Sequence, residues 1–324
     1  MREQSYWLLA VGCWLLTGAA GHESRVASQG TPGTHVLVVT GVGGEPGYSA
    51  AFAEQAQKLI TGLERYGVPR DRIVWLAEDA AKAPGRIAGR STRERVLAEL
   101  TRIGGAAQAE DRVLVVLIGH GSDGDEPRFN VPGPDLSARD LVAVLKPLEA
   151  PLVAVVNAAS ASGGFVEPLA GPRRIVITAT RTGFERNETR FVRSFAAAFE
   201  GDAADGDKDG AVSLLEAFSF ATRDVSRWYQ SENRLLTEHA RVSDEDLARQ
   251  FVLTPAARVV TAAPGDSVTA ALLARKRELE GSIERLRGRK AAMDSTMYAR
   301  ELEALLLELA RTNQALRARG GRTP

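Results

Sequence analysis

Cysteine is nearly missing from this sequence: its 324 residues include one, Cys13, and that one falls inside an amino-terminal stretch that reads as an export signal. A mature chain would then work without a disulfide, a thiolate metal site or a thiol nucleophile. Excess charge is missing as well, with 41 basic residues against 41 acidic ones. That balance gives no electrostatic reason to expect nucleic acid or anionic lipid as a partner. No apolar run is long enough to span a bilayer, the amino-terminal one extending only from Tyr6 to Leu16, so no stable transmembrane anchor is expected.

The export reading rests on Arg2, the uncharged stretch from Gln4 to Gly21, and the small residues Gly18, Ala19 and Ala20, which suit cleavage. It predicts a signal peptide over 1–21 and a periplasmic or extracellular mature chain. Lipidation at Cys13 is the alternative, but Ala10-Val11-Gly12 ahead of it lacks the usual leucine three positions before the cysteine. Lack of cysteine beyond the signal does not argue against export, because a chain with 44% hydrophobic residues can build its core without cross-links.

Five runs nearly continuous in Val, Ile and Leu, namely His35 to Thr40, Ile73 to Leu76, Val113 to Ile118, Leu152 to Val156 and Ile175 to Thr178, read as strands covered on both faces. Helical patterns separate them, notably Ser49 to Tyr66, Ser91 to Ile103 and Ser137 to Leu148, the last two opening on a serine that can cap. The alternation predicts an α/β three-layer sandwich with a mainly parallel sheet over 33–262. Beyond Pro264-Gly265-Asp266 the composition changes. Leu272, Leu279, Ile283, Leu286, Met293 and Met297, then Leu302, Leu305, Leu306 and Leu309, mark a helical extension over 267–318. It reads as one long helix or a hairpin, packing on its own domain or associating with a second copy as a coiled coil.

In such a sheet, ligands collect beyond the carboxyl ends of the strands. Three strand-leaving turns open there: Gly41-Val42-Gly43-Gly44, Gly119-His120-Gly121-Ser122 and the segment Asn157 to Phe165. The first lacks both the Gly-x-Gly-x-x-Gly spacing and a Lys-Ser/Thr pair, so it reads as a loop shaping a cleft rather than a phosphate cradle. The order of the other two, a strand ending in Gly-His-Gly and then a strand followed by Ala159-Ser160-Ala161-Ser162-Gly163-Gly164, resembles the caspase and legumain group of cysteine peptidases. Ile177-Thr178-Ala179-Thr180 with the Phe191 to Phe199 helix, and Leu235-Leu236-Thr237-Glu238-His239, resemble further segments of its bacterial legumain-like members.

The resemblance implies that His120 stands at the catalytic histidine, that Ser160 occupies the slot of the nucleophilic cysteine, and that backbone amides near Gly121 face an oxyanion. The departure at Ser160 matters chemically. A thiol needs little help near neutral pH, whereas a hydroxyl needs a base in hydrogen-bond contact and an orienting carboxylate behind it. Asp123, Asp125 and Glu126 are near His120 in sequence but cannot be assumed to reach behind its ring. Three functions stay open: a degenerate peptidase fold that binds peptide or protein partners in the rim cleft, a hydrolase using Ser160 with His120, or an envelope scaffold acting through its carboxy-terminal helices. Arg181, Glu185 and Arg186 read as an exposed charged turn beside that cleft, and His239 as structural.

The segment Asp205 to Glu216 places carboxylates at loop positions one, three and five (Asp205, Asp207, Asp209), glycine at six (Gly210), the Ala211 carbonyl at seven, an aliphatic at eight (Val212), Ser213 at nine and Glu216 at twelve. This is the EF-hand pattern, in which hard oxygen donors surround Ca²⁺ and the glycine makes the sharp turn. It predicts bound calcium acting as a structural staple, with the Leu214 to Trp228 helix leaving the loop and the Thr189 to Phe199 helix entering it.

Overall fold

A computed structural model of the protein describes residues 33–148, 151–207, 209–254, 266–290 and 293–320. The expected signal over 1–21, Cys13 and the linker residues Pro264 and Gly265 lie outside the described residues. In chain order the strands are β1 (Thr34–Thr40), β2 (Ile73–Ala77), β3 (Gly89–Arg90), β4 (Arg112–Ile118), β5 (Gly121–Asp123), β6 (Pro127–Phe129), β7 (Leu136–Ser137), β8 (Leu152–Asn157), β9 (Arg174–Thr178), β10 (Val212–Ser213), β11 (Arg241–Val242) and β12 (Val252–Leu253). The helices are α1 (Pro46–Arg65), α2 (Arg93–Ala106), α3 (Ala138–Leu145), α4 (Val166–Leu169), α5 (Phe191–Ala197), α6 (Leu214–Ser231), α7 (Glu245–Gln250), α8 (Ser267–Gly288) and α9 (Ser295–Gly320).

The main sheet has seven strands in the order β11-β9-β8-β4-β1-β2-β3, parallel throughout except for β11, which runs antiparallel to β9 at one edge. All five expected strands are present. Their side chains alternate between two apolar layers, which is why no polar period shows in the sequence. Val36, Val38, Leu114 and Val116 face Phe52, Leu59 and Leu63 of α1 and Phe191 and Phe195 of α5, whereas Leu37, Val39, Val113 and Val115 face Val96 and Leu100 of α2 and Leu141 and Leu145 of α3. The result is the expected three-layer α/β sandwich. Burial of fully enclosed side chains such as Leu37, Leu59, Leu100 and Phe195 is worth roughly 1.5–3 kcal/mol each.

Serine capping holds for α3, where Ser137 accepts the Asp140 amide and Asp140 returns the favour to the Ser137 amide. It is displaced by one residue at α2. There Thr92 caps, because Ser91 is fully buried and donates its hydroxyl to the Thr40 carbonyl at 2.8 Å. The carboxy-terminal region is a hairpin of α8 and α9 rather than one helix. Its two arms are tied by Arg275 to Glu308 and, at the open end, by Arg319 to Asp266 and Thr269. Leu279, Ile283 and Leu286 are buried, while Met297, Leu306 and Leu307 stand exposed. Among the described residues no helix is long and apolar enough to cross a membrane.

Strand order reverses between β1 and β4, with β2 and β3 beyond one and β8 and β9 beyond the other, and such a reversal opens a crevice at the carboxyl ends. Here the crevice between the β1 and β4 turns is closed by Phe129. A Cβ on Gly119 would lie 3.3 Å from the Gly41 Cα and 3.1 Å from the ring of Phe129, which is fully buried. Gly41 is required there, since a Cβ on it would lie 2.3 Å from the Asn130 carbonyl oxygen, and the Gly119 contacts are tight. The small sheet β5-β6-β7, which carries Phe129, thereby roofs the rim at this point.

Candidate active site

His120 leaves β4 and Ser160 leaves the adjacent β8, and the two turns meet through backbone. The Gly121 amide donates to Ser160 Oγ at 3.4 Å. A Cβ on Gly121 would lie 2.6 Å from the Ser160 carbonyl oxygen, so glycine is required for the approach. The His120 carbonyl accepts the Asn130 amide at 3.0 Å, which pins its turn to the roof. Its ring packs edge-on against Tyr48 and Phe52 of α1, with centroids 5.0 and 5.1 Å away. Among the described residues the ring makes no hydrogen bond to Ser160 or to any carboxylate.

Two of the nearby acidic groups are turned elsewhere. Glu126 takes the Arg139 amide at 3.3 Å, and Asp123 lies against Gly164 and Gly183, where a Cβ on the latter would overlap its carboxylate. Among the described residues, no carboxylate bonds the His120 ring. Ser160 is 4% exposed, and its only hydrogen bond among the described residues is the weak one from Gly121. The turn after β1 is closed to anions: Gly41 and Val42 amides go to the Ile118 and Asn130 carbonyls, and the Gly43 amide goes to Glu78.

What holds the Ser160 segment was not legible in the sequence. Ala161 adopts φ +52°, a left-handed conformation that costs an alanine roughly 1 kcal/mol or more. Its amide donates to the Glu185 carbonyl at 2.8 Å. The Glu185 carboxylate in turn accepts the Arg181 amide at 3.0 Å, the His239 amide at 2.9 Å and, through its other oxygen, bonds His239 Nδ1 at 2.9 Å. Glu185 is thus a half-buried latch and not the exposed turn charge that was expected, whereas Arg181 and Arg186 are exposed. Ser162 also has a structural task. Its hydroxyl meets Thr180 Oγ1 at 3.1 Å and accepts the Thr180 amide at 3.2 Å, while Thr180 Oγ1 accepts the Gly163 amide at 3.0 Å.

The acidic loop lies in the connection between α5 and α6, and α5 follows β9 down from the rim, so the loop sits at the opposite end of the sheet. Asp205, Asp207 and Asp209 each bring a carboxylate oxygen within 4.8 Å of the others. Gly210 turns the chain at φ +92° and donates its amide to Asp205 at 3.0 Å. Glu216 forms a capping box with Ser213 and reaches back to the Gly206 amide at 2.9 Å. Loop residues Val212 and Ser213 pair with β12, which ties the loop to the domain. Burial pushes the Asp207 and Asp209 carboxyls up, and neighbouring carboxylates add to it, Asp209 first for Asp207 and Asp205 first for Asp209. The donors are all oxygen, as a hard cation wants. The entering helix differs from the expectation: α5 stops at Ala197 because the chain turns through Ala198 to Ala204 before reaching Asp205.

No family model matches the chain, and no curated protein matches it. Among solved structures it is similar to that of drICE, a caspase, at 10% identity and a TM-score of 0.42, over 66% of this chain and 88% of that one.

Proposed function

We propose that this is an exported protein of caspase/legumain-like fold whose peptidase centre is degenerate and whose rim cleft binds peptide or protein partners. The observation that carries the reading is the state of Ser160: a nearly buried hydroxyl that accepts one weak bond from the Gly121 amide, beside a His120 whose ring reaches neither it nor a carboxylate. A serine so placed lacks the base that would make it a nucleophile. The test is hydrolysis of a diverse peptide library by the mature protein with calcium present, beside Ser160→Ala and Ser160→Cys. Silence in the native protein with turnover in the cysteine variant is the expected result. Native turnover abolished in Ser160→Ala would overturn it in favour of a serine hydrolase.

The second part of the proposal is calcium held by Asp205, Asp207, Asp209, the Ala211 carbonyl, Ser213 and Glu216. It is supported by the spacing together with the gathered carboxylates, and the ion would act as a staple fixing α6 against the sheet. A self-association role for the α8–α9 hairpin remains a separate proposal, supported by exposed Met297, Leu306 and Leu307. Loss of oligomers on truncation at Pro264 would be its signature.

A further inference from the structure

Loop 181–190 borders the Ser160 segment, its Glu185 carbonyl accepting the Ala161 amide, and the Glu185–His239 latch joins it to loop 232–240. Each also delivers an arginine to one indole. Helix α6 ends in a reversal in which Glu232 donates its amide to the Trp228 carbonyl, Asn233 takes φ +49°, and Arg234 donates its amide to the Tyr229 carbonyl at 2.9 Å. The reversal returns Arg234 toward the ring of Trp228, with Cζ 5.5 Å from its centroid. From the other loop, Arg190 has its amide fixed by both oxygens of Glu238 at 2.9 and 3.0 Å, and its guanidinium lies 3.7 Å from the same centroid.

Stacking uses the face of a guanidinium and leaves its N–H edge free to donate. Neither arginine has an acceptor for that edge among the described residues, and Nε of Arg190 is buried without one. A buried charged donor in that state is costly. Glu188 and Glu232 stand in solvent without bonding either arginine, and the less exposed carboxylates nearby are already committed. Glu238 is spent on the Arg190 and Phe191 amides, Asp224 on Ser194 Oγ and Arg227, and Glu185 on the latch. What these two edges lack is an oxyanion.

Resting on the peptide-cleft reading above, we propose that Arg190, Arg234 and Trp228 form a site for an acidic side chain of a peptide lying along this rim. The same two loops expose Phe184 at 87% and Leu235 at 88%. Apolar surface of that kind serves a peptide's neighbouring side chains and is of no use to free phosphate.

The test is fluorescence anisotropy on the mature protein with a labelled, end-blocked short peptide of alternating glutamate and leucine, beside the same peptide with glutamine for glutamate. The glutamate peptide is expected to bind about tenfold more tightly or better, the scale of one charge-assisted hydrogen bond. Arg234→Gln, at an exposed residue whose side chain supports no fold contact beyond the ring, should remove most of that preference with the melting temperature unchanged. Arg190→Lys should weaken it through loss of the planar edge. Equal binding of both peptides, unaltered in Arg234→Gln, would overturn the arginine site while leaving the cleft reading intact. Binding of neither peptide would overturn both, and displacement of the glutamate peptide by micromolar inorganic phosphate would assign the edges to phosphate instead.

Discussion

The two ends of the sheet solve opposite electrostatic problems. At the rim, the groups packed around Ser160 largely find partners within the fold: Ser162 and Thr180 bond each other, the Gly41 and Val42 amides have carbonyl partners, and Phe129 closes the crevice between the β1 and β4 turns. At the lower end, Asp205, Asp207 and Asp209 crowd within 4.8 Å, and burial and repulsion push the Asp207 and Asp209 carboxyls up. Around Ser160 the fold supplies most of the partners itself, whereas the other end gathers like charge that a cation would neutralise. Proximity of chemically able residues is therefore no measure of readiness. Ser160 and His120 leave adjacent turns with no hydrogen bond between their side chains, whereas the aspartates are close and opposed.

The largest expected effect breaks this contrast from below. Calcium at about 100 times its dissociation constant should stabilise the fold by about 2.7 kcal/mol, a rise of about 5–10 °C in melting temperature for a domain of this size. Glu216→Gln should shrink that rise, and scanning calorimetry with millimolar calcium against chelator would show it. An unchanged melting temperature would remove calcium from the account of this loop. At the rim the comparable lever is steric. A Cβ on Gly163 would lie 2.3 Å from the Arg181 carbonyl oxygen, so Gly163→Ala should cost about 2–3 kcal/mol. Gly105→Ala in α2 is its control: nothing lies within 4 Å of that Cβ, and alanine is the better helix former by about 0.5–1 kcal/mol. Chemical denaturation of the pair should move the midpoints in opposite directions.

How legible each end was follows from how its contacts lie along the chain. The acidic loop could be read because its expected ligands are contiguous and its turn demands Gly210. The five long strands could be read because each is buried on both faces and so nearly unbroken in Val, Ile and Leu. Strands β3, β5, β6, β7, β11 and β12 run for two or three residues each, too short to show any period, and β5, β6 and β7 form the roof of the rim. The latch was hidden for a different reason. Glu185 and His239 are separated by 54 positions, and nothing local distinguishes a carboxylate that will fold inward from one in an exposed turn. Ser162 was legible as a conspicuous hydroxyl beside Ser160, but its bond to Thr180 needed the register of β8 on β9.

That latch supplies the next prediction. Glu185→Ala should cost about 1.5 kcal/mol, since a half-buried charged acceptor serving three donors is lost. Amide hydrogen exchange should quicken at Arg181, Ala161 and His239 first, because the strained Ala161 depends on the same loop. Exchange that quickens only globally would mean that the loop is held by other contacts and that Ser160 owes its position to β8 alone.

The smallest effect concerns the hairpin, where a charge is neither idle nor opposed but well served. The Asp266 carboxyl is held down from 3.8 to about 2, first by the Thr269 hydroxyl, then by the Thr269 amide, with Arg319 adding less. A depressed carboxyl stabilises the ionised, folded arrangement above its ordinary value, and that contribution is lost as the pH falls from 3.8 toward 2. Because the group is partly open to solvent at the end of the hairpin, the loss should appear as fraying of the first turn of α8 and release of Arg319, with no global unfolding. Following the Asp266 side-chain carbon by NMR across that range should give a midpoint near 2, moved upward more by Thr269→Ala than by Arg319→Gln. The reverse ranking would mean that the ion pair closes the open end of the hairpin and that the threonine cap is secondary, which would put electrostatics ahead of capping at the one place where the structure orders them the other way.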